Sequence, residues 1–267
     1  MYWRDISPAL HFISESKVSI REIKQSKECV NMDRIYFADN PWPNGHRIVN
    51  FKWSAHFKYA EEEELNGMAG LYFDLHLETA DYDEEDLDEE DEEDEEDEED
   101  EEEDDWHAKI VWNNFHRCTL SSEEWDFKGF RVGSDEAPFN LDTLNGKRFA
   151  IDCLSEDEQQ DLDLELTAFD VYLLGHDASA FHNIKFTRLE GQTYQIEWKG
   201  KLALAYIGDY EFKYDFHTLI TSTSFSGINI PNEISDHEAY VLLKRFVSNP
   251  VLFELQHDKG DRRFVLK

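Results

Sequence analysis

Basic residues are scarce in this chain. The 267 residues include 26 Lys and Arg against 61 Asp and Glu, which gives a formal net charge of -35 at pH 7. Binding to nucleic acid or to an anionic membrane surface requires clustered Lys and Arg side chains that neutralise phosphate. The sequence therefore predicts no nucleic-acid partner and no membrane partner, and it favours a basic protein partner.

Cysteine is also scarce, and long apolar runs are missing. Cys29, Cys118 and Cys153 are far apart and form no CxxC motif, so they indicate neither a disulfide framework nor a zinc site. No apolar run approaches the eighteen or so residues of a membrane-spanning helix. The opening residues, MYWRDISPALHFI, lack the apolar core of a signal peptide. We therefore expect a cytoplasmic, soluble protein.

Short enzyme signatures are missing as well. The sequence contains no GxSxG, HExxH, Walker A or GxGxxG motif. We therefore expect no cofactor, and the interpretation leans away from an enzyme. A catalytic site assembled from scattered residues stays open, because such sites leave no short motif.

Alternation of apolar and polar residues dominates the remaining sequence. Residues 70–78, GLYFDLHLE, and 161–174, DLDLELTAFDVYLL, alternate with period two, which predicts half-buried strands. Ser235 and Glu238 form a capping box before AYVLLKRFV, which predicts one amphipathic helix near the C-terminus. The predicted fold class is mainly β, with α+β as the alternative, built as an antiparallel sandwich or as open-barrel-like sheets.

Two parts of the chain share an order of features that suggests an internal repeat. Each part has a short strand, then a Trp, then an Asp-x-His strand: RIYF at 34–37, Trp53 and FDLH at 73–76 in the first, and NIKF at 183–186, Trp198 and YDFH at 214–217 in the second. This order predicts two related β-units, 1–150 and 151–267. Chance resemblance between amphipathic strands is the alternative explanation.

An acidic low-complexity tract interrupts the first unit. Residues 83–105 contain 22 Asp and Glu among 23 residues, and this pattern has neither helix nor strand period. Like charges three and four residues apart oppose a helix, so we predict a disordered acidic insert over 81–105. The insert contains no Gly and resembles no EF-hand loop, so it is expected to hold divalent cations only weakly. It is either a tolerated, solvated expansion or a flexible arm for a Lys/Arg-rich partner.

Candidate partner-binding residues follow from the tract and from two tryptophans. They are Asp83, Glu84, Glu85 and Asp86 at the start of the tract, with Trp42 and Trp125, which are predicted to expose their rings. Exposed aromatic rings are common anchors in protein interfaces.

Candidate metal ligands occur as two Asp-x-His pairs. Asp74 with His76, and Asp215 with His217, are spaced so that each pair shares one face of a strand. If the two strands were neighbours, four ligands could meet at one metal ion. The alternative is that both pairs face solvent without a metal.

Two functions are therefore carried forward. The first is an acidic binding protein that engages a basic protein partner in an inhibitor or immunity-type role. The alternative is a metal-assisted hydrolase or carbohydrate-active enzyme whose Asp/His site lies between the two β-units.

Overall fold

A computed structural model describes residues 33–59, 69–85, 106–123, 128–155, 167–258 and 260–267. The strands are β1 (Arg34–Phe37), β2 (His46–Lys58), β3 (Gly70–Thr79), β4 (Thr119–Ser121), β5 (Phe130–Gly133), β6 (Arg148–Ile151), β7 (Asp170–Tyr172), β8 (His176–Arg188), β9 (Thr193–Ala203), β10 (Tyr214–Ser224), β11 (Ile228–Ile230), β12 (Phe253–Asp258) and β13 (Asp261–Leu266). The helices are α1 (Tyr82–Glu85), α2 (Lys109–Trp112) and α3 (Asp236–Phe246), with 3-10 turns at Leu141–Thr143, Ala205–Ile207 and Pro250–Leu252.

Eight strands close into a ring. The order around the ring is β1, β2, β3, β4, β7, β8, β9 and β10, and β10 pairs back to β1. Every one of these pairings is antiparallel, and chain neighbours pair throughout the ring except at β4 and β7, which β5 and β6 separate in the chain. The prediction of a mainly β, antiparallel protein is confirmed, and its form is a closed barrel.

The remaining strands extend or split this wall. β11 pairs in parallel with β2 and continues through β13 to β12. β4 and β5 lie one after the other on the same edge of β3, and β6 and β7 do the same on β8. The ring of strands is therefore closed where β4 pairs with β7. Further along the same edges, β5 pairs with β3 and β6 pairs with β8, but β5 and β6 do not pair with each other.

Aromatic side chains fill the barrel. The ring of Trp53 lies 4.9 to 5.3 Å from the rings of Phe73, Phe186, Tyr194 and Phe225. Trp53, Phe186 and Tyr194 alternate along their strands with polar residues, which is the kind of pattern that the sequence predicted. The barrel encloses a packed core, which holds the wall rigid.

The predicted C-terminal helix is confirmed as α3. The Ser235 hydroxyl accepts from the backbone N–H of Glu238, and the Glu238 carboxylate accepts from that of Ser235, so both halves of the capping box form. Leu243 and Phe246 are buried, and the Phe246 ring lies 6.3 Å from that of Phe57 at the end of β2. Among the described residues, none of the helices is long and apolar enough to cross a membrane.

Both predicted β-units contribute to the same barrel. Residues 33–267 form one compact unit, with β1 to β4 on one side of residue 150 and β7 to β10 on the other. The repeated features lie on β1, β2 and β3 and on β8, β9 and β10. Five antiparallel pairings lead from β1 to β8, and each one reverses the strand direction, so β1 and β8 run in opposite directions. Rotation about the barrel axis therefore does not superpose β1, β2 and β3 on β8, β9 and β10. The relation between the units stays a prediction.

Candidate functional site

The acidic tract joins β3 to β4 and therefore leaves the barrel at one end. Because neighbouring strands are antiparallel, the β1–β2, β7–β8 and β9–β10 connections lie at this same end, which we call the upper end. The part of the tract outside the described residues is 86–105, which we call the acidic segment. It contains 19 Asp and Glu among 20 residues, and its predicted disorder stays a prediction.

The residues that lead into the acidic segment belong to the fold. Tyr82 in α1 is fully buried, and its hydroxyl donates to the carbonyl oxygen of Leu173 at 3.2 Å. Glu84 pairs with Arg47 at 2.7 Å. Tyr82 thus packs the residues that precede the acidic segment against the barrel, and the predicted disorder of 81–105 stays a prediction.

The residues that follow the acidic segment are anchored in the same way. Trp106 is buried and stacks on Tyr214 with ring centroids 4.2 Å apart. Its indole N–H donates to the carbonyl of Ala38 at 2.8 Å. Trp112 at the end of α2 is also buried, and its indole N–H donates to the carbonyl of Trp106 at 3.1 Å. Both ends of the acidic segment are thus fixed to the upper end by buried aromatic rings.

Trp42 lies inside the barrel and not on the surface. It is 4% exposed, and its ring lies 5.2 Å from that of Trp112 and 6.0 Å from that of Tyr82. The prediction of an exposed ring is wrong. The prolines on either side correctly indicated a turn, but the turn directs the indole inwards. We call Phe37, Trp42, His46, Tyr82, Trp106 and Trp112 the upper aromatic cluster.

One histidine is part of this cluster. His46 is buried and stacks on Trp112 at 5.5 Å, and its Nε2 lies 3.0 Å from the side-chain amide of Asn40. Burial, assisted by the positive charge of Arg34, lowers the pKa of His46 to about 3. The imidazole is therefore neutral at physiological pH and acts as a packing group.

Three large apolar side chains are exposed at the upper end. Tyr206, Ile207 and Tyr210 in the β9–β10 connection are 62%, 49% and 59% exposed. Sequence reasoning missed these residues, although the stretch AYIGDYEF, with apolar side chains on both sides of a turn glycine, was an available signal. We call Tyr206, Ile207 and Tyr210 the exposed patch.

The Asp74/His76 pair belongs to a hydrogen-bonded network on the outer wall. Asp74 is 4% exposed; its Oδ2 lies 2.7 Å from Nδ1 of His56, and its Oδ1 accepts from the Ser122 hydroxyl at 3.1 Å. Nδ1 of His76 lies 2.9 Å from the Ser121 hydroxyl. The expectation of a solvent-facing pair is therefore wrong for Asp74, because the chain that follows β4 covers it.

The Asp215/His217 pair lies elsewhere in the wall. Asp215 pairs with Lys201 at 3.2 Å, and the His217 ring stacks on Tyr36 at 5.0 Å. β1 and β2 separate β10 from β3, so the fold does not bring the four candidate ligands together. Within the described ranges, no three or more His, Cys, Asp or Glu residues are grouped so that they could hold a metal ion.

A second buried polar cluster lies where β5 and β6 diverge. The Lys128 ammonium lies 3.0 Å from Oδ1 of Asp170, and the lysine side chain is almost completely buried. His182 is fully buried, and its Nδ1 accepts from the indole N–H of Trp198 at 3.3 Å. Burial lowers the pKa of His182 to about 3, so its ring is also neutral. The Lys128–Asp170 pair links the chain just before β5 to β7 across the split, and the His182–Trp198 bond joins the neighbouring strands β8 and β9.

The other candidate partner-binding residues divide into two groups. Asp83 is exposed beside Glu84 at the upper end, as a contact residue requires. The Glu85 side chain, Asp86 and Trp125 lie outside the described residues, so their roles stay predictions.

Three comparisons with known proteins complete this description. Protein-family models, curated proteins and solved structures were compared with the chain, and none of them matches it.

Proposed function

We propose that this protein is a cytoplasmic binding protein that engages a basic protein partner, in an inhibitor or immunity-type role, through its upper end. One observation carries the proposal. A segment with 19 carboxylates among 20 residues has both its ends fixed, by Tyr82 and Trp106, to the same end of a closed barrel. The residues that flank this concentrated negative charge thus belong to one end of the barrel.

The charge of the acidic segment determines how binding to a basic partner should depend on salt. The acidic segment carries 19 of the 61 acidic residues, and the described residues on both sides of it lie at the upper end. Concentrated negative charge speeds encounter with a basic surface, and the attraction weakens as salt rises. An inhibitor that acts by covering a basic functional surface needs this kind of complementarity.

The enzyme alternative receives less support. A metal-assisted hydrolase with its site between the two β-units needs Asp74 and His76 to meet Asp215 and His217. The two pairs lie on β3 and β10, which β1 and β2 separate, and each pair has its own local partners. The geometry therefore gives no support to a metal site formed by these four residues.

A matched pair of charge variants tests the proposal. The first changes Glu92, Glu93, Glu95 and Glu96 to Gln in the acidic segment. The second removes four exposed charges away from the upper end, by Asp142→Asn, Glu190→Gln, Glu254→Gln and Asp258→Asn. Binding of a Lys/Arg-rich peptide is measured by calorimetry between about 50 and about 200 mM salt.

We expect the first variant to bind about tenfold more weakly at low salt and to show a shallower salt dependence. The second variant should bind almost as tightly as the unchanged protein. Equal losses in the two variants would contradict the proposal, because net charge alone, and not the acidic segment, would then determine binding.

A further inference from the structure

The exposed patch is unusual for the surface of such a charged protein. Tyr206, Ile207 and Tyr210 lie within five consecutive residues, and about half or more of each side chain is accessible to solvent. Single exposed apolar residues are ordinary, whereas large exposed apolar patches mark interaction surfaces, and these three residues are close together in the chain. The connection that holds them forms a 3-10 turn, which ends at Gly208 with φ of 86°.

Contacts beneath the patch hold its first residue in place. The Asp177 carboxylate accepts from the backbone N–H of Leu174 at 3.1 Å and from that of Tyr206 at 3.3 Å. The Tyr206 ring lies directly on Gly175, where an added Cβ would come within 2.4 Å of the ring. The β7–β8 turn thus fixes Tyr206, and a fixed ring loses little conformational entropy when a partner binds.

The exposed patch adjoins the point where the acidic segment re-enters the barrel. Trp106, the first residue after the segment, stacks on Tyr214, which directly follows the connection that carries the patch. Phe115, nine residues after Trp106, has its ring 6.2 Å from that of Tyr206 in an edge-on arrangement. A partner attracted by the acidic segment therefore meets the exposed patch.

The chemistry of the patch suits arginine. Tyrosine faces attract cations, and a planar guanidinium can also stack on them, which a lysine ammonium does not do. Ile207 between the two tyrosines offers an apolar surface for the aliphatic part of an arginine side chain. The exposed carboxylate of Glu211 lies beside Tyr210 in the chain and adds local negative charge.

We infer that the exposed patch is an arginine-recognition surface, which binds Arg side chains of the basic partner while the acidic segment supplies long-range attraction. This inference rests on the proposed function and names the residues that give it selectivity. A second copy of the chain is a poor occupant, because each copy carries a formal charge of -35 and the two would repel.

Two peptides of equal length and charge test this inference. They have the same sequence, except that every basic residue is Arg in one and Lys in the other. The unchanged protein should bind the Arg peptide about fivefold to tenfold more tightly, since two exposed rings each contribute a modest cation–π attraction. Tyr206→Ser with Tyr210→Ser should bring this ratio close to one and leave the salt dependence unchanged. Tyr206→Phe with Tyr210→Phe should keep the ratio, because the aromatic faces remain.

A matched control removes two exposed apolar side chains outside the patch. Leu219→Ser with Val251→Ser, at positions 42% and 69% exposed, should leave the Arg/Lys ratio unchanged. A ratio that survives in the Tyr→Ser variant, while binding stays dependent on the acidic segment, would overturn the inference and leave the proposed function standing. Binding that is indifferent to the acidic segment would overturn the proposed function. A dimer that sedimentation detects in the unchanged protein and not in the Tyr→Ser variant would also overturn the inference, because a second copy would then occupy the patch.

Discussion

The two ends of the barrel are closed by different means. At the lower end, opposite the acidic segment, α3 packs Phe246 near Phe57, and the backbone N–H of Phe139 donates to the carbonyl of Phe246 at 2.7 Å. At the upper end, the closing rings come from residues that flank the acidic segment, namely Tyr82, Trp106 and Trp112. The same burial that stabilises the upper end therefore also anchors a polyanion. The lower end is closed far from the acidic segment, whereas the upper end is closed by the residues that flank it.

The largest expected effects come from removing one closing ring at each end. Trp112 and Phe246 are both fully buried, so Trp112→Ala and Phe246→Ala should each lower the free energy of unfolding by about 3–5 kcal/mol. Denaturant titration measures both. A loss below about 1 kcal/mol for Trp112→Ala alone would show that the upper end is not part of the cooperative fold, and the comparison would fail.

The buried histidine of the upper aromatic cluster should make stability sensitive to acid. His46 has a pKa lowered from 6.5 to about 3. Between these pH values the histidine is protonated in the unfolded chain and neutral in the folded chain. The free energy of unfolding therefore falls as pH drops from 6.5 towards 3. Between pH 7 and pH 5 this histidine should cost roughly 2 kcal/mol.

The measurement is the difference in unfolding free energy between pH 7 and pH 5, with His46→Leu compared with the unchanged protein. The variant should lose roughly 2 kcal/mol less than the unchanged protein over this interval. His182→Leu, away from the upper end, should behave alike because the pKa of His182 is also lowered to about 3. An unchanged pH dependence in His46→Leu would show that His46 is protonated in the folded cluster.

Two aspartates on the outer face of the barrel should affect stability differently and should not affect binding. Asp74→Asn should lower the free energy of unfolding by about 1–3 kcal/mol, because it weakens a buried, charge-assisted contact with His56. Asp215→Asn, at an exposed position, should change it by less than about 0.5 kcal/mol. Neither variant should alter affinity for a basic peptide by more than about twofold. A large affinity loss in Asp74→Asn would move the binding site to the wall.

The smallest expected effect is on stability when the acidic segment is replaced. A Gly/Ser linker of equal length in place of 86–105 should leave the free energy of unfolding unchanged within about 0.5 kcal/mol, or slightly raised at low salt, because like charges are removed. Extending the replacement to 82–106 should cost at least about 3 kcal/mol, since it also removes Tyr82 and Trp106. Equal stabilities for the two replacements would contradict the anchoring role of these rings.

The sequence predicted the parts of the fold that depend on local periodicity. The alternation in GLYFDLHLE predicted β3, and the Ser235/Glu238 capping box predicted α3 to within a residue or two. Barrel closure could not be predicted, because it depends on the pairing of β10 with β1, and these strands are far apart in the chain. In turns outside the strands, the sequence also did not reveal which side chains are buried.

The candidate site could likewise be predicted only in part, because burial depends on contacts that local sequence patterns do not show. The acidic composition predicted a basic partner, and this stays a prediction. Trp42 was assigned to the surface because prolines mark a turn without fixing the direction of the ring. Tyr82 was assigned to the insert because its neighbours are charged, and the pattern did not indicate that its ring is buried. The patch at Tyr206 and Tyr210 was missed, since exposure depends on packing against Gly175 and Phe115.

The central claim is that the barrel displays the acidic segment to bind a basic partner. The most direct measurement is the salt dependence of Lys/Arg-rich peptide binding after all 19 Asp and Glu of residues 86–105 are changed to Asn and Gln, with unfolding measured in parallel. The account predicts an unchanged free energy of unfolding, a loss in affinity of at least about a hundredfold at low salt, and a nearly flat salt dependence. Affinity and salt dependence equal to those of the unchanged protein would contradict it.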